Sequence, residues 1–151
     1  MSRGFYIGLL VVAVVVIALF FYKTSPPAAV GEFGGVSLRL EYATTTLARE
    51  VGLSGRGSIP NDYGMLFVFP KDAPYGFWMK GMLVPIDIFW LDDKGQVVFI
   101  AQDVATSTYP NVFYPNVPAR YVLETAAGFA KVRGIAIGTP LVLKNFPTVS
   151  Q

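Results

Sequence analysis

Along the chain, apolar positions recur with a period of two in some stretches and fill others completely. VSLRLEYA, residues 36–43, sends Val36, Leu38, Leu40 and Tyr42 to one side and Ser37, Arg39, Glu41 and Ala43 to the other, the pattern of a half-buried strand. Thr44 to Thr46 then offer a helix N-cap, LAREV supplies about one and a half turns, and Gly52 suits the position after the helix. GMLFVF, 64–69, is apolar throughout, too short for a helix and rich in aromatic and branched residues, which predicts a strand buried on both faces. A second short strand is expected at 76–80 and a further one at 86–91, IDIFWL, which Pro85 opens. The Asp92-Asp93-Lys94-Gly95 turn leads to an antiparallel return through QVVFIAQDV. Residues 105–118, with YPNV at 109 and again at 114, read as a long proline-rich loop. ARYVLET, 119–125, predicts another strand, AAGFAKVRG a helical turn or two, and GTPLVLK a last strand. The order gives roughly six or seven strands and two short helices, which fits an antiparallel β-sandwich or partly closed barrel better than βαβ repeats.

The N-terminus follows another rule. From Phe5 to Tyr22 no residue is charged, and at about 1.5 Å per residue the run reaches roughly 27 Å, enough to span a bilayer core. Aromatics at both ends suit the interfaces, and Lys23 follows without a small-x-small cleavage site, so an uncleaved transmembrane anchor over 1–23 is expected rather than a cleaved signal peptide. Arg3 and the α-amino group against Lys23 place the N-terminus in the cytoplasm and the domain outside. Residues 24–35, with two prolines and three glycines, read as a linker, 36–144 as the domain and 145–151 as a tail. Beyond Lys23 the chain holds ten basic and ten acidic residues, a balance without the footprint of a nucleic-acid binder.

Four motifs occur in order: GLSGR at 52–56, GMLFVF at 64–69, FWMK at 77–80 followed by PIDI at 85–88, and YVLE at 121–124 followed by AAG at 126–128. In these the chain resembles the bacterial and archaeal DUF192 family over roughly residues 36–144. The resemblance implies a small, mainly β fold of sandwich or jelly-roll type, often exported or membrane-tethered, with no established reaction or cofactor. The family usually continues FWMK with Asn-Thr, where this chain has Gly81 and Met82.

Histidine and cysteine are absent, so neither a Ser-His-Asp or Cys-His system nor the usual zinc, copper, haem or iron–sulfur site can be assembled. No cofactor is expected. The chemistry left is that of carboxylates, amines, guanidinium groups, hydroxyls and phenols. Alternation in IDIFW puts Ile86, Ile88 and Trp90 on one face and Asp87 and Phe89 on the other. A carboxylate among such neighbours needs a partner or a cleft. Asp87 therefore either pairs with a cation such as Lys80, Arg49, Arg56 or Arg120, or lines a pocket with Lys80, Trp78 and Glu124. Glu124 in YVLET poses the same problem. The two acids together could act as acid and base of a glycan hydrolase if about 5 to 9 Å apart. Trp78 and Tyr75, with Tyr109, Tyr114 and Tyr121, could give a stacking surface or simply fill the core. The candidate ligand-binding residues are thus Arg56, Trp78, Lys80, Asp87, Tyr109, Tyr114 and Glu124. The expected function is a membrane-anchored extracytoplasmic domain that binds a small ligand, a glycan or an envelope partner. A carboxylate-dependent hydrolase and an accessory protein without a pocket are the alternatives.

Overall fold

The computed structural model describes residues 29–149. The expected anchor at 1–23 lies outside the described residues, among which no helix is long and apolar enough to cross a membrane. In order the elements are β1 (Ala29–Phe33), β2 (Val36–Ala43), α1 (Thr46–Val51), β3 (Tyr63–Ala73), β4 (Phe77–Trp78), β5 (Ile86–Leu91), β6 (Val97–Val104), a 3₁₀ turn (Thr106–Thr108), β7 (Val112–Phe113), β8 (Ala119–Ala126), α2 (Phe129–Arg133) and β9 (Leu141–Val142). The protein is mainly β, with two short helices.

Seven strands form one sheet in the order β6-β5-β8-β3-β2-β1-β9, and β4 and β7 form a separate ribbon. A two-sheet antiparallel sandwich or jelly roll is therefore corrected to a single curled half-barrel sheet, the partly closed form of the two expected. It is also not wholly antiparallel, because β2 and β3 run parallel, joined by the crossover that contains α1. The sheet begins within the stretch expected as linker: β1 pairs with β2 from Ala29↔Leu40 to Phe33↔Val36. Glycines hide its alternation, yet Gly31 and Phe33 are buried while Val30 and Glu32 face out. Curling brings the two edges together at one end, where the Leu141 N–H donates to the Gly95 carbonyl at 2.9 Å and the Val97 N–H to that of Thr139 at 3.0 Å.

Side-chain alternation gives the sheet two apolar faces. Phe33, Leu38, Leu40, Leu66, Phe89 and Leu123 share the first with Phe129 of α2, whose ring stands 5.9 Å from Phe33 and 6.4 Å from Phe89. Phe146, in the expected tail, also packs here, 4.7 Å from the Tyr121 ring. Met65, Phe67, Ile86, Ile88, Trp90 and Val122 share the second face with Leu53, Phe77, Met79 and Met82. Both faces of β5 are covered, so all six of its residues are buried.

Asp87 lies on the first face, wholly buried, and meets neither one of the four expected cations nor the expected pocket. Its carboxylate instead accepts three backbone N–H groups: Asp103 at 2.7 Å, Gly128 at 3.3 Å and Ala130 at 2.8 Å. A register shift between Ile86 and Ile88, where β6 carries an extra residue and Asp103 adopts φ 48°, turns the Asp103 N–H toward β5. The other two donors come from the start of α2, whose first N–H groups have no partner within the helix. One side chain thus ties β5 to the β6 bulge and to the β8–α2 junction. Asp87→Asn replaces one acceptor with a donor facing a donor. It is expected to lower the unfolding free energy by about 3 kcal/mol, read as an earlier urea midpoint at unchanged slope.

Candidate functional site

Glu124 lies on the second face. Register fixes this: Ile88 pairs with Glu124 and Asp87 with Thr125, and directly paired residues share a face. The sheet therefore separates Asp87 from Glu124, and the expected acid–base pair does not form. In the same row, β3 sets Met65 beside Glu124 and β2 sets Glu41 beside Met65. Glu41 and Glu124 thus share a face two strands apart, about 9 to 10 Å between backbones.

Over this face, between α1 with its following loop and the β4 segment, runs a cleft of about 680 Å³. Thr46, Arg49, Glu50 and Val51 of α1 form one wall, Phe77, Trp78, Lys80, Gly81 and Met82 another, with Phe67, Phe69 and Glu124 contributed by the sheet. The two loops are laced together, since Ser54 Oγ donates to the Lys80 carbonyl at 2.9 Å and the Gly55 N–H to that of Gly81 at 2.9 Å. α1 is capped at its start by Thr45 Oγ1, which accepts from the Ala48 N–H at 3.1 Å. It stops at Gly52, whose φ of 51° disfavours a side chain and which lies against Phe67 and Glu124: a β-carbon there would sit 3.2 Å from Phe67 and 3.9 Å from Glu124 Oε2.

The Glu124 side chain is the chemical anomaly. The residue is 5% exposed, and Oε2 is buried with no hydrogen-bond partner. Burial pushes the carboxyl from 4.5 up to about 8, against the opposing pull of the Arg56 charge. At neutral pH it therefore holds its proton and offers both a donor and an acceptor. Arg56 itself is committed elsewhere. Its Nη2 donates to Glu41 at 3.1 and 2.9 Å and its Nη1 to the Tyr63 hydroxyl at 2.8 Å, and the guanidinium lies over the Tyr63 ring. The Tyr63 hydroxyl donates to Glu41 as well, burial being the main cause that raises its pKa.

The expected residues divide accordingly. Trp78, Lys80 and Glu124 meet in the cleft. Trp78 is 50% exposed, with the Lys80 ammonium 5.7 Å from its ring centre and Tyr109 edge-on at 6.2 Å. Tyr109 thus extends the aromatic surface beside Trp78, while Tyr114 is exposed and does not line the cleft. Arg56 stands behind Glu124 and is paired with Glu41. Asp87 is on the far face. Tyr75 lines the cleft stacked on Phe69 at 3.5 Å. Tyr121 is buried on the first face, as core. Sequence reasoning did not single out Glu41, Tyr63 or the lining role of Arg49, Gly52, Phe67 and Phe69. The available signal for Gly52, Phe67 and Phe69 was their place in GLSGR and GMLFVF. Each of the four recurrent segments places at least one residue in the cleft: Gly52, Leu53 and Ser54; Phe67 and Phe69; Phe77, Trp78 and Lys80; and Glu124. Gly81 and Met82, at the positions where Asn-Thr is usual, line it too. The φ of 69° at Gly81 is one that asparagine tolerates better than most residues. Among the described residues no group of three or more His, Cys, Asp or Glu is placed to hold a metal ion.

Comparison with known proteins gives a consistent set of relatives. The profile of DUF192, described as "Uncharacterized ACR, COG1430", matches residues 29–143. A UPF0127 protein of Pyrococcus abyssi (strain GE5 / Orsay) is 28% identical over 102 residues, covering 66% of this chain and 81% of that protein. A crystal structure from Sinorhizobium meliloti 1021, provisionally described as a transcription regulator, superposes with a TM-score of 0.68 at 31% identity, covering 70% of this chain and 81% of that one. A protein of unknown function from Novosphingobium aromaticivorans DSM 12444 superposes with a TM-score of 0.67 at 27% identity, covering 76% and 82%.

The elevated Glu124 pKa has a signed consequence for stability. Below about pH 4.5 folded and unfolded chains both hold the proton. Between 4.5 and 8 the unfolded chain releases it and the folded chain does not, so this group's contribution to stability falls as pH rises and levels off above 8. Glu124→Gln abolishes the slope. From pH 5 to pH 8 the unfolding free energy of the variant is expected to gain on that of the wild type by on the order of 3 kcal/mol, measured by urea titration at each pH.

Proposed function

The chain belongs to the DUF192 family of uncharacterised proteins, and from that premise we propose that it is a binding protein whose ligand enters the cleft over Glu124. The observation that carries this reading is the Oε2 atom of Glu124, buried without a partner at the edge of an aromatic-walled cleft. A buried polar group is normally hydrogen-bonded, and one left open beside a cavity is suited to a group supplied from outside. Trp78 and Tyr109 extend the same surface with rings on which a sugar or another flat group can stack. The hydrolase alternative loses its basis, because Asp87 is sealed on the opposite face and Glu41 is held by Arg56 and Tyr63. The accessory-protein alternative has no pocket, whereas a cleft of about 680 Å³ lies over Glu124.

The apolar run from Phe5 to Tyr22 supports the further proposal that the chain is anchored in a membrane with this domain outside the cytoplasm, where glycans and envelope components are the available ligands. The even charge balance beyond Lys23 argues against a nucleic-acid partner.

Both parts can be tested on the full chain. In a thermal-shift screen against glycans and cell-wall fragments, at least one compound is expected to raise the melting temperature of the wild type and not of Trp78→Ala. An absence of any shift across the set would falsify the binding reading. In cell fractionation the wild type is expected to stay with membranes after a high-salt wash, while Val12→Asp combined with Val15→Arg, which puts two charges into the apolar run, releases the protein.

A further inference from the structure

Resting on the reading of the cleft as a binding site, we infer that its ligand is a small carboxylate-bearing ring compound, with the carboxylate at Lys80, the ring against Trp78 and a hydrogen-bonding group reaching Glu124. The charges of the cleft carry this choice. Arg49 and Lys80 both line it, and neither is in an ion pair among the described residues, where Arg39, Arg56 and Arg120 are paired with Asp62, Glu41 and Asp72. The Arg49 guanidinium cannot swing away. It donates to the Thr44 and Val68 carbonyls at 2.8 and 3.0 Å and to Thr46 Oγ1 at 3.3 Å, and it lies over the Phe69 ring at 5.4 Å. Its donors are largely used, so it contributes a fixed positive field more than a contact. Lys80 is the opposite case, an exposed ammonium with its backbone pinned by Ser54 and no acidic partner.

Two acids line the same cleft, and neither cancels this field. Glu50 is an exposed residue of α1, where water screens it. Glu124 keeps its proton through neutral pH. A cleft with apolar walls and unopposed cations concentrates anions, and a rival ligand bearing an ammonium would meet Lys80 already placed over the Trp78 face. The charged groups around Glu124 are Arg56, which acts on it and is itself bound to Glu41 and Tyr63, and Arg49, Glu50 and Lys80, which line the same cleft. Ionisation of Glu124 adds a negative charge at the edge of this cleft, so anion affinity falls as pH rises through about 8.

Two pairs of probes separate an acidic sugar from an aromatic acid while sharing the carboxylate: methyl β-D-glucuronide against methyl β-D-glucoside, and benzoate against benzyl alcohol, with benzylamine as the cationic control. Binding to the full chain in detergent is measured by calorimetry and by thermal shift. At least one acid is expected to bind about five- to tenfold more tightly than its neutral counterpart. Lys80→Met removes that preference without changing the melting temperature of the unliganded protein. In Glu124→Gln the affinity for the acid no longer declines between pH 7 and pH 9. Neutral probes that bind as well as the acids, or benzylamine binding more tightly than benzoate, would overturn the anion assignment and leave the cleft as a binding site. If none of the five compounds binds, the assignment falls too, and the thermal-shift screen above decides separately whether the cleft binds anything.

Discussion

A side chain in a sheet can face only one of two ways, and most of what this protein can do follows from how that constraint falls on β5 and β8. The two strands are adjacent in the middle of the sheet, each carries one buried acid, and both of their faces are covered by apolar residues. Their register pairs Asp87 with Thr125 and Ile88 with Glu124, which sends the acids to opposite sides. A slip of one residue would exchange the faces of every side chain on β8. It would bring the carboxyls together, but would also turn Leu123 out of the first core and Val122 out of the second. The apolar pattern thus fixes the register, and the register separates the chemistry.

The two acids meet the cost of burial in different ways. Asp87 is satisfied by backbone donors that do not titrate, and these donors come from a bulge and a helix start that have few other partners for them. The exchange is mutual, so the interaction is structural and local to one face. Glu124 has no such donors. Arg56, the cation whose charge acts on it, is drawn off by Glu41 and Tyr63, and the carboxyl accommodates burial by keeping its proton. A fold selected for stability alone would place leucine or methionine there, because an apolar side chain of similar size packs without an unmet hydrogen bond. A buried group left unsatisfied beside a cleft is costly to keep, which is why the proposed ligand is set at Glu124.

Much of this was legible in the chain. The faces of Ile86, Asp87, Ile88, Phe89 and Trp90 follow from alternation alone, and the strand buried on both sides at Gly64–Val68 follows from its unbroken apolar run. What alternation leaves open is the register between distant strands, and with it the question of whether Asp87 and Glu124 face each other. β1 escaped notice because Gly31, Gly34 and Gly35 interrupt the pattern, and its pairing is supplied by β2 rather than by its own residues. The parallel β2–β3 pair was unexpected because a short helix between strands can also sit in an antiparallel fold. The partner of Asp87 could not be read from side chains at all. It is three backbone N–H groups whose direction depends on a bulge at Asp103 and a turn at Gly128, both products of the tertiary structure.

The recurrent segments then divide by the face they serve. PIDI and AAG meet on the first face, where Asp87 accepts from Gly128, and they hold the half-barrel to α2. GLSGR, GMLFVF, FWMK and YVLE each bring residues to the cleft on the second face. The loop segments also bond to each other through Ser54 and Gly55, so the cleft wall is built by hydrogen bonds between two of the motifs rather than by a core that any apolar residues could fill. Packing needs explain why Phe67 and Phe77 are apolar. They do not explain a half-exposed tryptophan, an unpaired lysine beside it and a protonated glutamic acid lining one cavity. The ligand proposed for the cleft takes those three together, since all of them line the same cavity.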